Sequence, residues 1–222
     1  MKRKRIAVIG AGGFAREVRW LIAEISSQTE GYDFAGYVVS NLDKLGDHDS
    51  ADEVLGDLDW LRTHSDEIDA LALGIGNPVV RRRIGTSIAR DLPTTEWPTL
   101  IHPSVVYDRS CSFGRGVLLC AGVIATVNVR IDDFAMVNLS CTIGHEARIG
   151  EGTVLNPDVN ISGGVELGAE VLVGTGAQIL QYLCIGDAVT VGAGAVVTKN
   201  VESSLTVVGL PAKPIGGART SN

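Results

Sequence analysis

From Ile101 onward, apolar residues recur at every sixth position. Ile101, Tyr107, Phe113, Leu119, Ala125, Ile131, Val137, Ile143, Ile149, Leu155, Ile161, Leu167, Val173, Ile179, Ile185, Val191 and Val197 keep one register, and fourteen of the seventeen are Ile, Leu or Val. A second, smaller apolar set follows four places after each, from Val105, Cys111 and Val117 through Cys141 to Val189 and Ala195. Neither the helical period of 3.6 nor plain strand alternation produces this pattern. A six-residue repeat predicts very short strands joined by turns at fixed spacing, a hexapeptide β-helix. Gly follows the aliphatic at Gly114, Gly144, Gly150, Gly168, Gly174, Gly186 and Gly192, where a turn is expected to favour a residue without Cβ.

Residues 5–98 lack the repeat. Arg5 to Ile9 reads as a buried strand, Gly10-Ala11-Gly12-Gly13-Phe14-Ala15 as a turn, and Arg16 to Ala23 as a helix. Phe34 to Val39 and Leu71 to Ile75 read as two further strands, with a short helix between them. Asn77-Pro78 then opens a helix, Asn at the N-cap and Pro at the first helical position. This order predicts a small Rossmann-like α/β unit with a parallel sheet. Gly10, Gly12 and Ala15 fit G-x-G-x-x-[G/A] between a strand and a helix, a geometry that lets backbone amides approach a phosphate. Only one mononucleotide-sized half is present, and the second strand ends Val39-Ser40-Asn41 without an acidic residue for a ribose. The turn therefore suits a single nucleotide, or no ligand, better than a dinucleotide. The expected division is residues 1–98 for this unit, 99–215 for the β-helix and 216–222 for a flexible tail.

Composition agrees with a narrow, turn-rich interior: 27 Gly stand beside only 5% aromatics in 222 residues. A net charge of −7 argues against nucleic acid, whose affinity comes from clustered Lys and Arg. The runs Lys2 to Arg5 and Arg81 to Arg83 are too short to reverse that. No apolar stretch approaches a membrane span and no cleavage site follows the basic start, so a cytoplasmic protein is expected. Cys111, Cys120, Cys141 and Cys184 form no C-x-x-C pair and have no His at zinc spacing, so no disulfide framework or metal is expected.

The [LIV]-G-x-x-[small]-x hexads, together with Val207-Val208-Gly209-Leu210-Pro211-Ala212-Lys213, resemble the left-handed parallel β-helix of hexapeptide acyltransferases. In that family three hexads, 18 residues, make one coil, so seventeen hexads imply nearly six coils. The glycine turn, Leu73-Gly74-Ile75-Gly76-Asn77 and Leu100-Ile101-His102-Pro103 are similar to one subgroup, the sugar O- and N-acyltransferases related to sialic acid O-acetyltransferase and to the N-acetyltransferases of UDP-linked 4-amino-sugars. The resemblance implies that the front unit receives a nucleotide-sugar, through Gly10, Gly12, Gly13, Phe14, Gly76 and Asn77, and that the β-helix receives acetyl-CoA. It also implies a homotrimer with active sites between subunits.

Four histidines exist: His48, His64, His102 and His145. His145 occupies the third, outward place of its hexad, where period alone allows surface or function. The stretch from Asn138 to Glu146 resembles the family's N-x-x-x-x-x-G-H-[DE], which implies His145 as general base and Glu146 as the neighbour that orients or polarises it. Acyl transfer to an amine or hydroxyl must remove a proton, and imidazole titrates near neutral pH. One coil on, Gly163 leaves room for pantetheine and offers an amide N–H. The resemblance carries CoA contacts onto Gly163, Thr175 and Ala193, and a substrate contact onto Asn138. Three departures stand out: Val154 where many relatives have a second His, Val39-Ser40 where an acidic pair often stands, and Phe14 where some have His. The expected activity is acetyl transfer to an amino-sugar, with O-acetylation of a sugar or a non-catalytic β-helix module as alternatives. A zinc enzyme would need more histidines across neighbouring coils than His102 and His145.

Overall fold

The computed structural model describes residues 3–28, 31–40 and 45–215; Asn41 and the expected tail 216–222 lie outside them. The front unit runs β1 (Lys4–Ile9), α1 (Gly13–Gln28), β2 (Tyr32–Val38), β3 (Val54–Gly56), α2 (Leu58–Thr63), β4 (Ala70–Leu73) and α3 (Pro78–Asp91). Its four strands form a sheet in the order β3-β2-β1-β4, with all pairs parallel. Strand β3 escapes the sequence pattern because three residues are too short to display a period. Side chains alternate across β1: Ile6 and Val8 face α1, whereas Ala7 and Ile9 face α2 and α3. Asn77 caps α3 as expected, its side-chain oxygen accepting from Val80 N–H at 3.0 Å.

The repeat folds into a parallel β-helix of three sheets. Its first face gathers strands from Leu100–Ile101 to Lys213–Pro214, the second from Val106–Tyr107 to Val196–Val197, and the third from Ser112–Phe113 to Cys184–Ile185. The strands up to Thr206–Val208 pair in parallel with those a coil away, as Ile143 does with Ala125 and Ile161, and Lys213–Pro214 closes the first face antiparallel to Thr206–Val208. The sixth-position aliphatics and the smaller set four places on fill the interior together. The repeat also continues past Val197 in a shortened coil. Ile185 bridges Val201 and Val191 pairs with Val207, each 16 residues on instead of 18.

The hexad glycines serve a different purpose from the one the turn suggests. Left-handed backbone falls two places later, at Glu146 (φ 63°), Gly164 (φ 66°) and Tyr182 (φ 58°) among others. Gly144 is needed because a Cβ there would lie 2.6 Å from Gly163 N, so the glycines permit coil-on-coil stacking.

The front unit covers the first face. Outward residues Leu100, Leu118, Met136 and Val154 are fully buried and share one core with Ile6, Val8, Ala15 and Leu21. At the edge between the third and first faces, Arg82 pairs with Glu151 at 2.8 Å and Glu170 at 3.0 Å. Arg81 is wholly buried there, donating to the carbonyls of Phe134, Leu73 and Ile75. Burial pushes its guanidinium down to about 9, which leaves it charged at neutral pH.

Candidate active site

The three edges of the prism have separate chemistry. The edge between second and third faces stacks Val127, His145 and Gly163 in successive coils, as the bonds Glu146 N–H to Val127 O and Gly164 N–H to His145 O record. His145 is exposed, and its Nδ1 lies 3.6 Å from Glu146 Oε2. The imidazole lies across Gly163 so closely that a Cβ there would overlap Nε2. The Gly163 N–H has no partner among the described residues. Tyr182 lies likewise across Gly164, with its ring centroid 6.5 Å from that of His145. Imidazole, carboxylate and a free amide thus converge on a strip of backbone without side chains, which can accept a proton and hold an oxyanion.

The edge between first and second faces stacks Leu139, Pro157, Thr175 and Ala193. Thr175 and Ala193 are exposed on it. Asn138 begins the same edge, nearly buried, its side-chain oxygen accepting from Leu139 N–H at 2.8 Å. It lines a small pocket with Glu17 and Trp20 of α1. The structure therefore brings His145, Glu146 and Gly163 together, and separates them from Thr175, Ala193 and Asn138 by the width of the second face. Val154 belongs to neither group: it is buried under the front unit, where an imidazole would face an apolar core.

A third feature is a cleft of about 550 Å³ at the carboxyl ends of β1, β2 and β4. Gly10, Gly12, Val39 and Ser40 line it, while Gly13, Phe14, Gly76 and Asn77 do not. Gly10 (φ 108°) and Gly12 (φ 96°) adopt backbone open to glycine, and Gly74 permits the helix to close on the strand, since a Cβ there would lie 2.7 Å from Ala15 Cβ. Phe14 packs toward the core shared with the first face. The Asn77 side-chain oxygen is taken by its capping bond.

Two cleft residues were not legible in the sequence. Asp49 accepts from Gly12 N–H at 3.1 Å, an amide that the glycine motif assigns to phosphate, and also pairs with Arg16. The Gly46 amide, then the Arg16 charge and the Gly12 amide, hold its carboxyl below the usual range. Arg83 lines the opposite wall with no ionic partner among the described residues. The run Arg81 to Arg83 contained the signal: three successive helical residues face the core, the prism and the cleft. Among the described residues no cluster of three or more His, Cys, Asp or Glu is arranged to hold a metal. No described helix is long and apolar enough to cross a membrane.

Comparison with known proteins bears on both halves. The PglD N-terminal domain family matches residues 5–88. A single-residue variant of perosamine N-acetyltransferase from Caulobacter crescentus, solved with CoA and GDP-perosamine, superposes with a TM-score of 0.86 at 27% identity, over 96% of this chain and 97% of that one. The acetyltransferase domain of PglB from Neisseria gonorrhoeae FA1090 gives a TM-score of 0.82 at 28% identity, over 96% and 100%. By sequence, the serine acetyltransferase of Buchnera aphidicola subsp. Schizaphis graminum is 39% identical over 89 residues, 33% of this chain and 34% of that protein. The chain spans about a third to a half of the length of the serine acetyltransferases that it matches.

Proposed function

For a chain that belongs to the hexapeptide-repeat sugar acyltransferases, we propose acetyl-CoA-dependent acetylation of the amino group of a nucleotide-linked amino-sugar. The observation that carries this reading is His145 lying across Gly163, with Glu146 at its Nδ1 and an unpartnered amide beneath it. Acetyl-CoA supplies a thioester-activated acyl group. As the acceptor nitrogen forms its bond to the thioester carbonyl, His145 takes the proton from that nitrogen. The carbonyl oxygen accepts from Gly163 N–H while it carries charge. The C–S bond then breaks and His145 returns the proton to the departing sulfur, with Glu146 orienting the ring and offsetting its charge.

The nucleotide is assigned to the front cleft, its phosphates to the Gly10-to-Gly12 turn that leads into α1 and to Arg83. GDP-perosamine in two similar structures favours a GDP-linked acceptor. Because the front unit covers the first face, His145 stands on the edge opposite it. One chain therefore cannot carry its acceptor to its own base. We assign each active site to two chains: one gives the front unit and the edge with Asn138, Thr175 and Ala193, the next gives His145, Glu146 and Gly163. Such head-to-tail contacts close into a ring, and we infer a homotrimer. Left-handed winding of the coils and a cytoplasmic location, where acetyl-CoA is made, belong to the same reading.

The test is free-thiol release with acetyl-CoA and GDP-perosamine, run on wild type and His145→Ala. An exposed position leaves no cavity, so the variant folds, binds CoA and loses at least ~10²-fold in kcat. The loss is larger for an analogue with a hydroxyl acceptor, which must shed its proton as it attacks. Full turnover in folded His145→Ala, or a fully active monomer by light scattering, overturns the reading.

A further inference from the structure

The pocket between α1 and the first edge is unclaimed by the nucleotide cleft and by His145. It holds about 160 Å³, room for one sugar ring and too little for a nucleotide. Its chemistry is that of a carbohydrate site. Trp20 is 47% exposed, an unusual place for a large ring, and is steadied from behind by His102 at 5.9 Å between ring centroids. Glu17 is exposed, and its carboxylate has no ion pair or hydrogen bond among the described residues. Asn138 holds its oxygen against Leu139 N–H and so keeps its amide N–H₂ for the pocket. Cys120 at the floor is pushed up to about 12, by burial first and by the Glu17 charge second, and is a neutral, compact wall.

Position along α1 connects this pocket with the phosphate end of the cleft. Gly13, Glu17 and Trp20 fall at i, i+4 and i+7, one exposed face of the helix. Gly13 to Glu17 is roughly 6 Å of helix rise, a reach that a sugar attached to a helix-bound diphosphate can cover.

Resting on the nucleotide-sugar reading above, we propose that this pocket is the acceptor-sugar subsite, in which Glu17 pairs with the ammonium group of the amino-sugar and Trp20 stacks on its ring face. Glu17 is then the residue that selects amino-sugars over hydroxy-sugars. An uncompensated carboxylate rewards a cation and gains little from a neutral hydroxyl. The ammonium reaches the subsite charged and loses one proton to solvent as it leaves Glu17, so that a neutral amine attacks at the next chain's His145 edge and its second proton passes through His145 to the departing sulfur.

The test is calorimetric titration of the full-length protein with GDP-perosamine, with its analogue bearing hydroxyl in place of the amine, and with GDP alone. Wild type binds GDP-perosamine more tightly than the analogue. In Glu17→Gln that preference falls about tenfold, toward the low end for a charged hydrogen bond at an exposed site. Affinity for GDP alone stays unchanged. The wild-type preference also fades as pH rises through the amine's own pKa, and the Glu17→Gln preference does not. Trp20→Ala weakens both sugars alike, with Trp20→Phe restoring part of the loss. If Glu17→Gln keeps the full preference while wild type shows it, the subsite is wrong and the acetyltransferase reading stands. If wild type binds the sugar conjugates no better than GDP, the acceptor assignment fails together with this one.

Discussion

The two exposed edges of the β-helix begin from the same hexads and end in opposite states. The edge beside the front unit is crowded: α1 lies over it, Asn138 is nearly buried, and Trp20 and Glu17 wall a pocket. The edge opposite is bare, with His145 and Tyr182 lying over glycines that contribute only backbone. A repeat treats all three corners alike, so the asymmetry comes from what is added: a folded unit over one face, and two glycines in one coil. Pocket walls are built where the chain has a second layer, whereas the proposed base stands where it has none. Under the proposed reading, the bare edge of one copy meets the crowded edge of another.

The most severe way to break this comparison is to make the bare edge resemble an ordinary corner. Gly163→Ala adds a methyl group where His145 Nε2 lies. The imidazole must swing away, and the Gly163 amide becomes hindered. Because both groups are at the surface, the fold bears no cost. Turnover is expected to fall ~10²-fold, the scale of a lost general base, with an unchanged melting temperature. Nucleotide binding by the front unit should be unaffected in a calorimetric titration. An active Gly163→Ala protein would show that the ring need not occupy this place.

How far the two regions could be read in advance differs for the same reason. In the prism, each inward residue is set by position in the hexad, so His145 could be placed outward and Gly163 beneath it from counting alone. The cost is that counting cannot see what covers a face, and Val154 reads as an outward residue although the front unit buries it. In the front unit, β1, the glycine turn and the Asn77 cap were legible because each is a local signal. Asp49, Arg83 and the Glu17 and Trp20 pocket depend on contacts between segments far apart in sequence, which no local period encodes.

Arg82 tests the attachment of the second layer. Its ion pairs with Glu151 and Glu170 join α3 to the far edge of the first face, and Thr86 adds a bond to Glu151 at 3.2 Å. The Arg82 side chain is 41% exposed, so solvent screens much of this attraction. Arg82→Ala is expected to cost about 1 kcal/mol, the upper range for an exposed pair. In a chain of this size that lowers the melting temperature by roughly 2–4 °C. The difference from wild type should shrink in high salt. A drop of the same size at all salt concentrations would assign the effect to lost packing on Gly152, whose position lies against the Arg82 stem.

The smallest effect probes whether the cleft already contains an anion of its own. The Asp49 carboxylate takes the Gly12 amide and neutralises Arg16, so an incoming phosphate meets both a used donor and a like charge. Asp49→Asn retains an oxygen for the amide but removes the charge. GDP should then bind about fivefold more tightly at pH 7, as expected for one unit charge a few ångströms away in well-solvated surroundings. The sign with pH follows from the lowered carboxyl pKa. Its bonds are intact above the ordinary carboxylate range and are lost as pH falls through the lowered value. Relative to Asp49→Asn, wild type should therefore gain GDP affinity only once pH falls below the ordinary carboxylate range, the change in GDP's own terminal-phosphate charge being common to both proteins. Fluorescence titration of both proteins with GDP, at pH 7 and below that range, decides the matter. Weaker binding by Asp49→Asn at pH 7 would instead make this carboxylate a ligand for the nucleotide's hydroxyl or base, the acidic partner that Val39-Ser40 does not supply.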